Sequence, residues 1–286
     1  MGRTKATSES ARPSARWSRL RRAGLLMLAL AVPAAAVLGA ILFGTAQLAG
    51  SAHRQIIRER EWHYTEQLQV VLRKDVRSLV SVLQTLADLP EVHSFAESGS
   101  DTALADLAEA FVAFSRAKPE YDQIRLLDAT GLERVRVNHD LGMDPTVVPK
   151  YELQDKSDRY YFTEAIDLAA GRVLISPLDL NVEHGEVERP LKPMIRVAVP
   201  IQGGGRDARG VLVINYRAAN LLAQLDPFDG GPARDTFSRS WLLNQQGYWL
   251  KADDPDQTFG FMFDRDTRFG RSYAEEWREI RDSDRG

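Results

Sequence analysis

The chain has 286 residues, of which 44% are hydrophobic and 27% charged, so a packed globular core is expected over most of its length. Its formal net charge of −3 provides no general attraction to nucleic acid, and no nucleic-acid partner is predicted. The absence of cysteine excludes disulfides, thiolate catalysis and cysteine-ligated metal sites.

The N-terminal segment carries the most informative pattern. Residues 1–22 contain seven arginines and lysines against one acid, and residues 23–52 contain no charged side chain. A helix of that length exceeds the roughly 30 Å hydrocarbon core of a bilayer. We therefore expect a cytoplasmic basic tail over 1–22 and a transmembrane helix over 23–50, with the remainder outside the cytoplasm. The alternative is a cleaved signal peptide, since small residues at 34–36 and 46–49 would suit cleavage.

A long amphipathic helix is predicted to follow the apolar segment. Residues 53–89 contain neither glycine nor proline, and apolar side chains recur at steps of three and four residues. This pattern predicts a stalk helix over residues 51–89, which Pro90 would end. Its apolar stripe is suited to packing on the following domain, to forming a homodimer, or to both.

The rest of the chain alternates short helices and strands, which predicts an α+β fold. A helix is expected over Asp101–Ala117, and the turn Asp128–Gly131 would join strands over Tyr121–Leu127 and Leu132–His139. We expect Asp158 to cap the next helix. The further predicted elements are a helix over 158–168, strands over 173–176, 194–201 and 210–216, a glycine loop at 203–205, and a helix over 220–225.

A second strand–turn–strand pattern begins at Ser240. Residues 241–244 and 248–251 flank Gly247, and they repeat the pattern of residues 124–131 about 117 residues later. We therefore expect two related modules in tandem, over residues 90–230 and 231–286. The second is too short for a complete five-stranded sheet and is expected to be incomplete.

The sequence resembles the double-Cache sensor domains that bacterial histidine kinases, diguanylate cyclases and chemoreceptors carry outside the membrane. The resemblance rests on the long helix and on the order and spacing of several motifs. These are Y-D-Q-I-R-L-L-D-A-T-G-L-E-R-V-R (121–136), D-K-S-D-R-Y-Y-F-T-E-A (155–165), S-P-L-D-L-N (176–181), K-P-M-I-R-V-A-V-P-I (192–201) and R-G-V-L-V-I-N-Y (209–216). It implies two PAS-like antiparallel sheets, with a small-molecule ligand held in the membrane-distal module, residues 90–230.

The same resemblance indicates ligand-binding residues. The segment that opens the short helix often supplies an arginine and aromatic side chains, here Arg159, Tyr161 and Phe162. The amino-acid-binding branch would have a tyrosine in place of Phe162 and an acid near Asn215. This difference favours an organic anion over an α-amino acid.

The chemistry of the residues extends this candidate site. Arg159 offers a planar fork suited to a carboxylate, or it pairs with Asp155 or Asp179 to fix the loop. Arg134 and Arg136 are expected to share one strand face, which is either solvated or turned to the ligand. Tyr160 and Tyr161 diverge by about 100° on a helix, so at most one is expected to face the site squarely. The full set of candidate ligand-binding residues is Arg159, Tyr161, Phe162, Asp179, Tyr121, Arg125, Arg196 and Asn215.

No catalytic, metal or cofactor site is predicted. The five histidines lack metal-ligand spacing, and the sequence contains no P-loop, G-x-S-x-G or H-E-x-x-H motif. The resulting hypothesis is an extracytoplasmic small-molecule sensor of a homodimeric receptor in the bacterial inner membrane. One alternative is the N-terminal part of a histidine kinase or diguanylate cyclase whose output lies beyond this chain. Another is a membrane-tethered protein-interaction module.

Overall fold

The computed structural model describes residues 15–203, 208–225 and 240–283. Part of the predicted glycine loop and the predicted module boundary at residue 230 therefore lie outside the described residues. The chain divides into two compact units, residues 1–67 and residues 68–286. All candidate site residues belong to the second unit.

The long helix α1 (Ala15–Ala87) covers both the predicted transmembrane helix and the predicted stalk. Pro90 follows it but does not simply end it, because this proline opens a further helix, α2 (Pro90–Ser98). Proline suits the first turn of a helix, where its missing N–H would have no partner. Among the residues that the structure describes, none of the helices is both long and apolar enough to cross a membrane.

Helix α3 (Asp101–Ala117) has the predicted bounds, and Ser100 caps it by accepting a hydrogen bond from the amide of Ala103 at 3.2 Å. Three short helices and a seven-stranded sheet follow in the same unit. The strands of this sheet are β1 (Tyr121–Asp128), β2 (Glu133–Asn138), β3 (Thr146–Val147), β4 (Leu174–Ile175), β5 (Asp179–Leu180), β8 (Pro193–Gln202) and β9 (Ala208–Arg217). The helices are a 3-10 turn (Lys150–Glu152), α4 (Tyr160–Ile166) and α5 (Ala219–Ala223).

The sheet is antiparallel throughout, with the order β3-β2-β1-β9-β8-β4 and with β5 also pairing with β8. The antiparallel sheet of the predicted α+β class is therefore confirmed. Two very short strands, β6 (Val182–Glu183) and β7 (Glu186–Val187), form a separate hairpin. The sequence analysis did not predict β3, β5, β6 or β7, because two-residue strands are too short for a periodic pattern.

The two faces of the sheet have different environments. One face packs against α2, α3 and the last turns of α1, and fully buried Leu83, Leu107, Phe111 and Ile124 belong to this core. The opposite face lies against α4, where Tyr161 and Phe162 pack on strands β8 and β9. Alternating side chains along each strand therefore enter either an apolar core or the α4 face.

Residues 240–283 form a small aromatic lobe. Strands β10 (Leu242–Leu243) and β11 (Trp249–Lys251) confirm the predicted strand–turn–strand. Two 3-10 turns (Pro255–Gln257 and Gly260–Met262) and the helices α6 (Phe269–Ser272) and α7 (Ala274–Asp282) complete the lobe. Trp249 is only 4% exposed and contacts the rings of Trp241, Phe269 and Tyr273, so it belongs to the core of the lobe.

Candidate functional site

A group of polar side chains lies buried on the α4 face of the sheet, where a core would ordinarily be apolar. We call it the polar cluster. Its members are Gln123, Arg125, Glu133, Arg136, Lys156, Tyr160, Tyr161, Asp179, Asn181, Glu183, Arg196 and Asn215. Large buried polar groups are costly unless they are paired, so their concentration at one place indicates a function.

Strand register brings the central members together. Gln123 of β1 lies opposite Asn215 of β9, which in turn lies opposite Arg196 of β8. The Asn215 side chain donates a hydrogen bond to Oε1 of Gln123 at 3.1 Å. Arg125 lies two residues further along β1, opposite Arg136 of β2. Arg125 and Arg196 are each 2% exposed, and Asn215 is fully buried.

A β-bulge decides which residues of β2 join the cluster. The register shifts between Leu126 and Leu127, so Arg136 pairs with Arg125 while Glu133 pairs with Leu127. The extra residue places Glu133 and Arg136 on the same face, although they are three positions apart. Glu133 accepts hydrogen bonds from Arg125 at 3.3 Å and from Arg136 at 3.1 Å.

The expectation that Arg134 and Arg136 share a face is wrong because of this bulge. Arg134 pairs with Asp128 at 3.7 Å and lies over the ring of Phe95, on the helical side of the sheet. Arg136 is buried in the polar cluster and is not on a solvated face.

Arg196 is held by side chains from the segment that follows β4. Its guanidinium forms an ion pair with Asp179 and donates to Oδ1 of Asn181 at 3.3 Å. Asp179 also accepts from the hydroxyl of Tyr160 at 2.9 Å. Burial and the Asp179 carboxylate raise the pKa of Tyr160 to about 12, so this hydroxyl stays a proton donor.

Three guanidinium groups surround one aromatic ring. The Cζ atoms of Arg125, Arg159 and Arg196 lie 6.0, 6.0 and 5.4 Å from the ring centroid of Tyr161. The Tyr161 hydroxyl accepts a hydrogen bond from Arg125 at 3.3 Å. Tyr160 packs edge-on against the same ring at 5.6 Å, so Tyr160 contributes its hydroxyl to the cluster while Tyr161 contributes its ring.

Arg159 differs from the other arginines of the site. It is half-buried, and in the described part of the chain its guanidinium forms neither a hydrogen bond nor an ion pair. The anticipated pairing with Asp155 or Asp179 is therefore wrong. Asp155 instead accepts from the amide of Ser157 at 2.8 Å, while Asp179 holds Arg196.

Some buried polar atoms of the cluster have no hydrogen-bond partner in the structure. They are Nε of Arg125, Nε of Arg136 and Oδ1 of Asn215. The first two are donors and the third is an acceptor. Buried polar atoms are usually paired, so these atoms mark positions where a ligand's polar groups would be stabilised.

Neighbouring cations contribute to the pKa shifts of two groups in the cluster. Burial by itself raises the pKa of Glu183, but Arg125, Lys156 and Arg136 together with a hydrogen bond from Gln123 lower it to about 2. Burial and the neighbouring Arg125 lower the pKa of Lys156. The Glu183 shift has the direction expected beside several cations, and burial is the main cause of the Lys156 shift.

The turn predicted at Asp128–Gly131 positions the segment that opens α4. Gly131 has φ 92°, and its carbonyl accepts from the amide of Lys156 at 2.9 Å. A β-carbon at Gly131 would lie 2.5 Å from Cα of Ser157. The segment containing Ser157 can therefore pack this closely against the turn only because residue 131 is glycine. The helix itself begins at Tyr160, with Arg159 and not Asp158 at the cap position.

The structure brings seven of the eight candidate residues to the α4 face. These are Arg125, Arg159, Tyr161, Phe162, Asp179, Arg196 and Asn215, although Phe162 contributes apolar packing and no polar contact. Tyr121 is the exception: it lies in the core of the opposite face and stacks on Phe114 at 5.9 Å. We therefore leave Tyr121 out of the site.

Sequence reasoning missed several members of the cluster. They are Gln123, Glu133, Lys156, Asn181 and Glu183. For Asn181 and Glu183 the sequence contains a signal. Polar and apolar residues alternate over 179–183, which places the side chains of residues 179, 181 and 183 on one side of an extended segment. Within the described residues, no group of three or more histidines and carboxylates is arranged to hold a metal ion.

Comparisons with known proteins support a receptor domain. The family model described as the sensor domain of bacterial histidine kinases matches residues 58–286. No curated protein matches the sequence significantly.

Two solved structures are similar over 76% of the chain. One is a domain from Vibrio parahaemolyticus, assigned to a sensory box/GGDEF family protein, with 23% identity, 82% of its own chain covered and a TM-score of 0.61. The other is the extracellular domain of a protein assigned as histidine kinase vpHK1S-Z8, with 24% identity, 78% coverage and a TM-score of 0.60. At these identities the similarity establishes a shared fold.

Proposed function

The chain belongs to the family of bacterial histidine kinase sensor domains, and from this premise we propose that its polar cluster binds a small organic anion. A sensor domain of this family receives a signal and is not itself catalytic. The observation that carries the proposal is the arrangement of three guanidinium groups around Tyr161, one of which, Arg159, has no counter-ion among the described residues.

The balance of charge supports an anionic ligand. Five cations face three carboxylates: Arg125, Arg136, Lys156, Arg159 and Arg196 against Glu133, Asp179 and Glu183. The excess of positive charge favours an anionic ligand. Charge-assisted hydrogen bonds between such a ligand and the arginines are stronger in a buried site than in water. A planar carboxylate fits the donor fork of arginine in a bidentate manner.

The proposal is tested by ligand-dependent thermal stability. The full chain is screened against monocarboxylates, dicarboxylates, α-amino acids and amines. We expect stabilisation by organic acids and none by amines, because a ligand that binds only the folded state raises the melting temperature. Arg159→Ala should abolish most of this stabilisation, since it removes the half-buried cation without a partner.

Arg172→Ala is the matched control, because Arg172 is exposed and follows α4 in the chain. It should leave the stabilisation by organic acids unchanged. Stabilisation by amines instead of acids, or equal losses in the Arg159 and Arg172 variants, would refute the anion site.

We further propose that the domain lies outside the cytoplasm and is attached to the membrane through residues 23–50. The charge-free run of residues 23–52 and the basic residues that precede it support this attachment. The extracellular assignment of the similar kinase domain is in keeping with it. Alkaline phosphatase fused after residue 286 should be active in cells, whereas β-galactosidase at the same place should be inactive. The reverse result would contradict the topology.

The exposed apolar side chains of α1 support a homodimer. Ile56, Trp62 and Val70 are 56%, 47% and 63% exposed on a single chain. Burying them against a second copy would be favourable. Cysteine introduced at position 70, in a chain with no other cysteine, should crosslink two copies in cells. A crosslink to a different protein would instead favour the interaction-module alternative.

The kinase or cyclase output is proposed to lie in another part of the receptor.

A further inference from the structure

Residues 179–188 contact both the polar cluster and the aromatic lobe. We call this segment, which comprises β5, the hairpin β6–β7 and their connections, the strap. Asp179, Asn181 and Glu183 belong to the polar cluster, whereas Leu180 and Val187 pack in the aromatic lobe. We propose that the strap transmits occupation of the polar cluster to the aromatic lobe, because an incoming anion competes with its carboxylates for the same arginines. The competition with a ligand rests on the proposed function.

The polar side of the strap is built from alternate residues. Asp179 forms the ion pair with Arg196. Glu183 accepts from the side chain of Gln123 at 2.9 Å and from that of Gln154 at 3.2 Å, and it lies 3.9 Å from Arg136. Each carboxylate therefore lies beside an arginine to which a ligand's carboxylate would also bind favourably.

The apolar side of the strap packs against the aromatic lobe. Leu180 is fully buried in a cluster with Leu250 and Phe259, and Val187 packs against the same cluster. Immediately after the strap, the guanidinium of Arg189 lies 5.3 Å from the ring centroid of Phe263. The lobe therefore contacts the strap through close-packed apolar side chains. Because such packing leaves few voids, a displacement of the strap is transmitted to the lobe.

Backbone hydrogen bonds hold only one end of the strap to the main sheet. Asp179 and Leu180 pair with β8, and the amide of Asn181 donates to the carbonyl of Lys192 at 2.9 Å. Strands β6 and β7 pair only with each other, through a turn in which His184 and Gly185 have positive φ. Side chains thus set the position of residues 182–187. When Glu183 loses its partners to a competing anion, the hairpin shifts and the packing of Val187 against the lobe changes with it.

Hydrogen exchange of the full chain tests this coupling without any ligand. Glu183→Gln removes the strap's charge from the polar cluster, and Glu186→Gln removes the same charge from the exposed side of the same hairpin. The informative amides are those of Asn181 and Glu188 in the strap, and those of Phe259 and Phe263 in the lobe. All four donate backbone hydrogen bonds.

We expect Glu183→Gln to accelerate exchange at both pairs of amides by about tenfold, and Glu186→Gln to leave both unchanged. Acceleration confined to the strap, or equal in the two variants, would overturn the coupling.

Val187→Ala provides the reciprocal test, because coupling between two sites must act in both directions. It should accelerate exchange at Phe259 and also at Gln154, whose amide donates to Glu133 at 3.0 Å. An unchanged Gln154 amide would also overturn the coupling.

These outcomes are distinguishable from failure of the anion site. If no organic acid stabilises the chain but the exchange of the strap and the lobe remains linked, the coupling holds and the ligand assignment is wrong. If acids bind through Arg159 but the exchange is not linked, the sensor function holds and the strap does not transmit it.

Discussion

Glu133 shows how a single residue organises the site. Its carboxylate lies between Arg125 and Arg136 and also accepts the amide hydrogen bond of Gln154. Glu133 has three hydrogen-bond donors, so its buried negative charge is tolerated. Arg159 is half-buried and remains available to bind the proposed ligand. At the scale of residues, Glu133 therefore neutralises part of the buried positive charge, whereas Arg159 has no counter-ion among the described residues.

The second carboxylate, Glu183, makes stability depend on pH. Its pKa falls from an ordinary 4.5 to about 2 on folding, so its stabilising contribution is complete above pH 4.5 and is lost as pH falls toward 2. The contribution is up to about 3 kcal/mol. We expect Glu183→Gln to flatten the pH dependence of the free energy of unfolding between these values, as measured by urea denaturation. Glu186→Gln should retain the wild-type dependence, and a wild-type slope in Glu183→Gln would contradict the assignment.

Sequence reasoning identified Arg159 and Arg196 and missed the carboxylates Glu133 and Glu183 for a physical reason. Arg159 and Arg196 stand out because their local patterns place them beside aromatic or apolar residues. Glu133 joins the cluster only through a bulge, and Glu183 only through contacts about sixty residues away in the chain. Neither a bulge in one register nor a long-range contact leaves a periodic local pattern.

At the scale of elements, the turn between β1 and β2 fixes the start of α4. Asp128 accepts hydrogen bonds from the amides of Thr130 and Leu132 through its side chain. Gly131 then allows the segment containing Ser157 to pass in direct contact with the turn. This contact sets the position of Arg159 and Tyr161, which follow at once. The sequence predicted the turn, but it gave no indication of what packs against it.

Gly131→Ala should therefore cost much more stability than positive φ alone explains. The added β-carbon would lie 2.5 Å from Cα of Ser157, which must shift. Gly142→Ala is the matched control, since Gly142 has φ 80° and nothing within 4 Å of an added β-carbon. We expect losses of about 1 kcal/mol for the control and about 3 kcal/mol or more for Gly131→Ala, as measured by denaturant unfolding. Equal losses would show that the close approach is not needed.

At the scale of the whole molecule, the end of α1 is part of the domain core. Leu79, Leu83 and Leu86 are 2%, 0% and 1% exposed and belong to the same core cluster as the central strands. The division of the chain at residue 67 places all three in the second unit. The last turns of the predicted stalk over 51–89 therefore pack on the following domain, which is one of the two roles expected for its apolar stripe.

Truncation separates these two parts of the helix. Residues 68–286 should unfold cooperatively, whereas residues 90–286 should not fold. Removing three buried leucines costs about 2–5 kcal/mol each, which approaches the whole stability of a typical domain, about 5–15 kcal/mol. Circular dichroism during heating distinguishes the two fragments. A cooperative transition in residues 90–286 would show that α1 is dispensable for the core.

The sequence alone determined the elements whose signal is local: the helix at Asp101–Ala117, the strands at 121–127 and 194–201, and the turn at Gly131. It also determined the family resemblance, because that depends on the order of motifs along the chain. Only the tertiary structure decided which side of the sheet each side chain meets, since a bulge of one residue exchanges faces. It also placed Tyr121 in the helical core and assembled the polar cluster from four strands, a loop, helix α4 and the strap. Such an arrangement depends on contacts between distant residues, and local periodicity does not encode them.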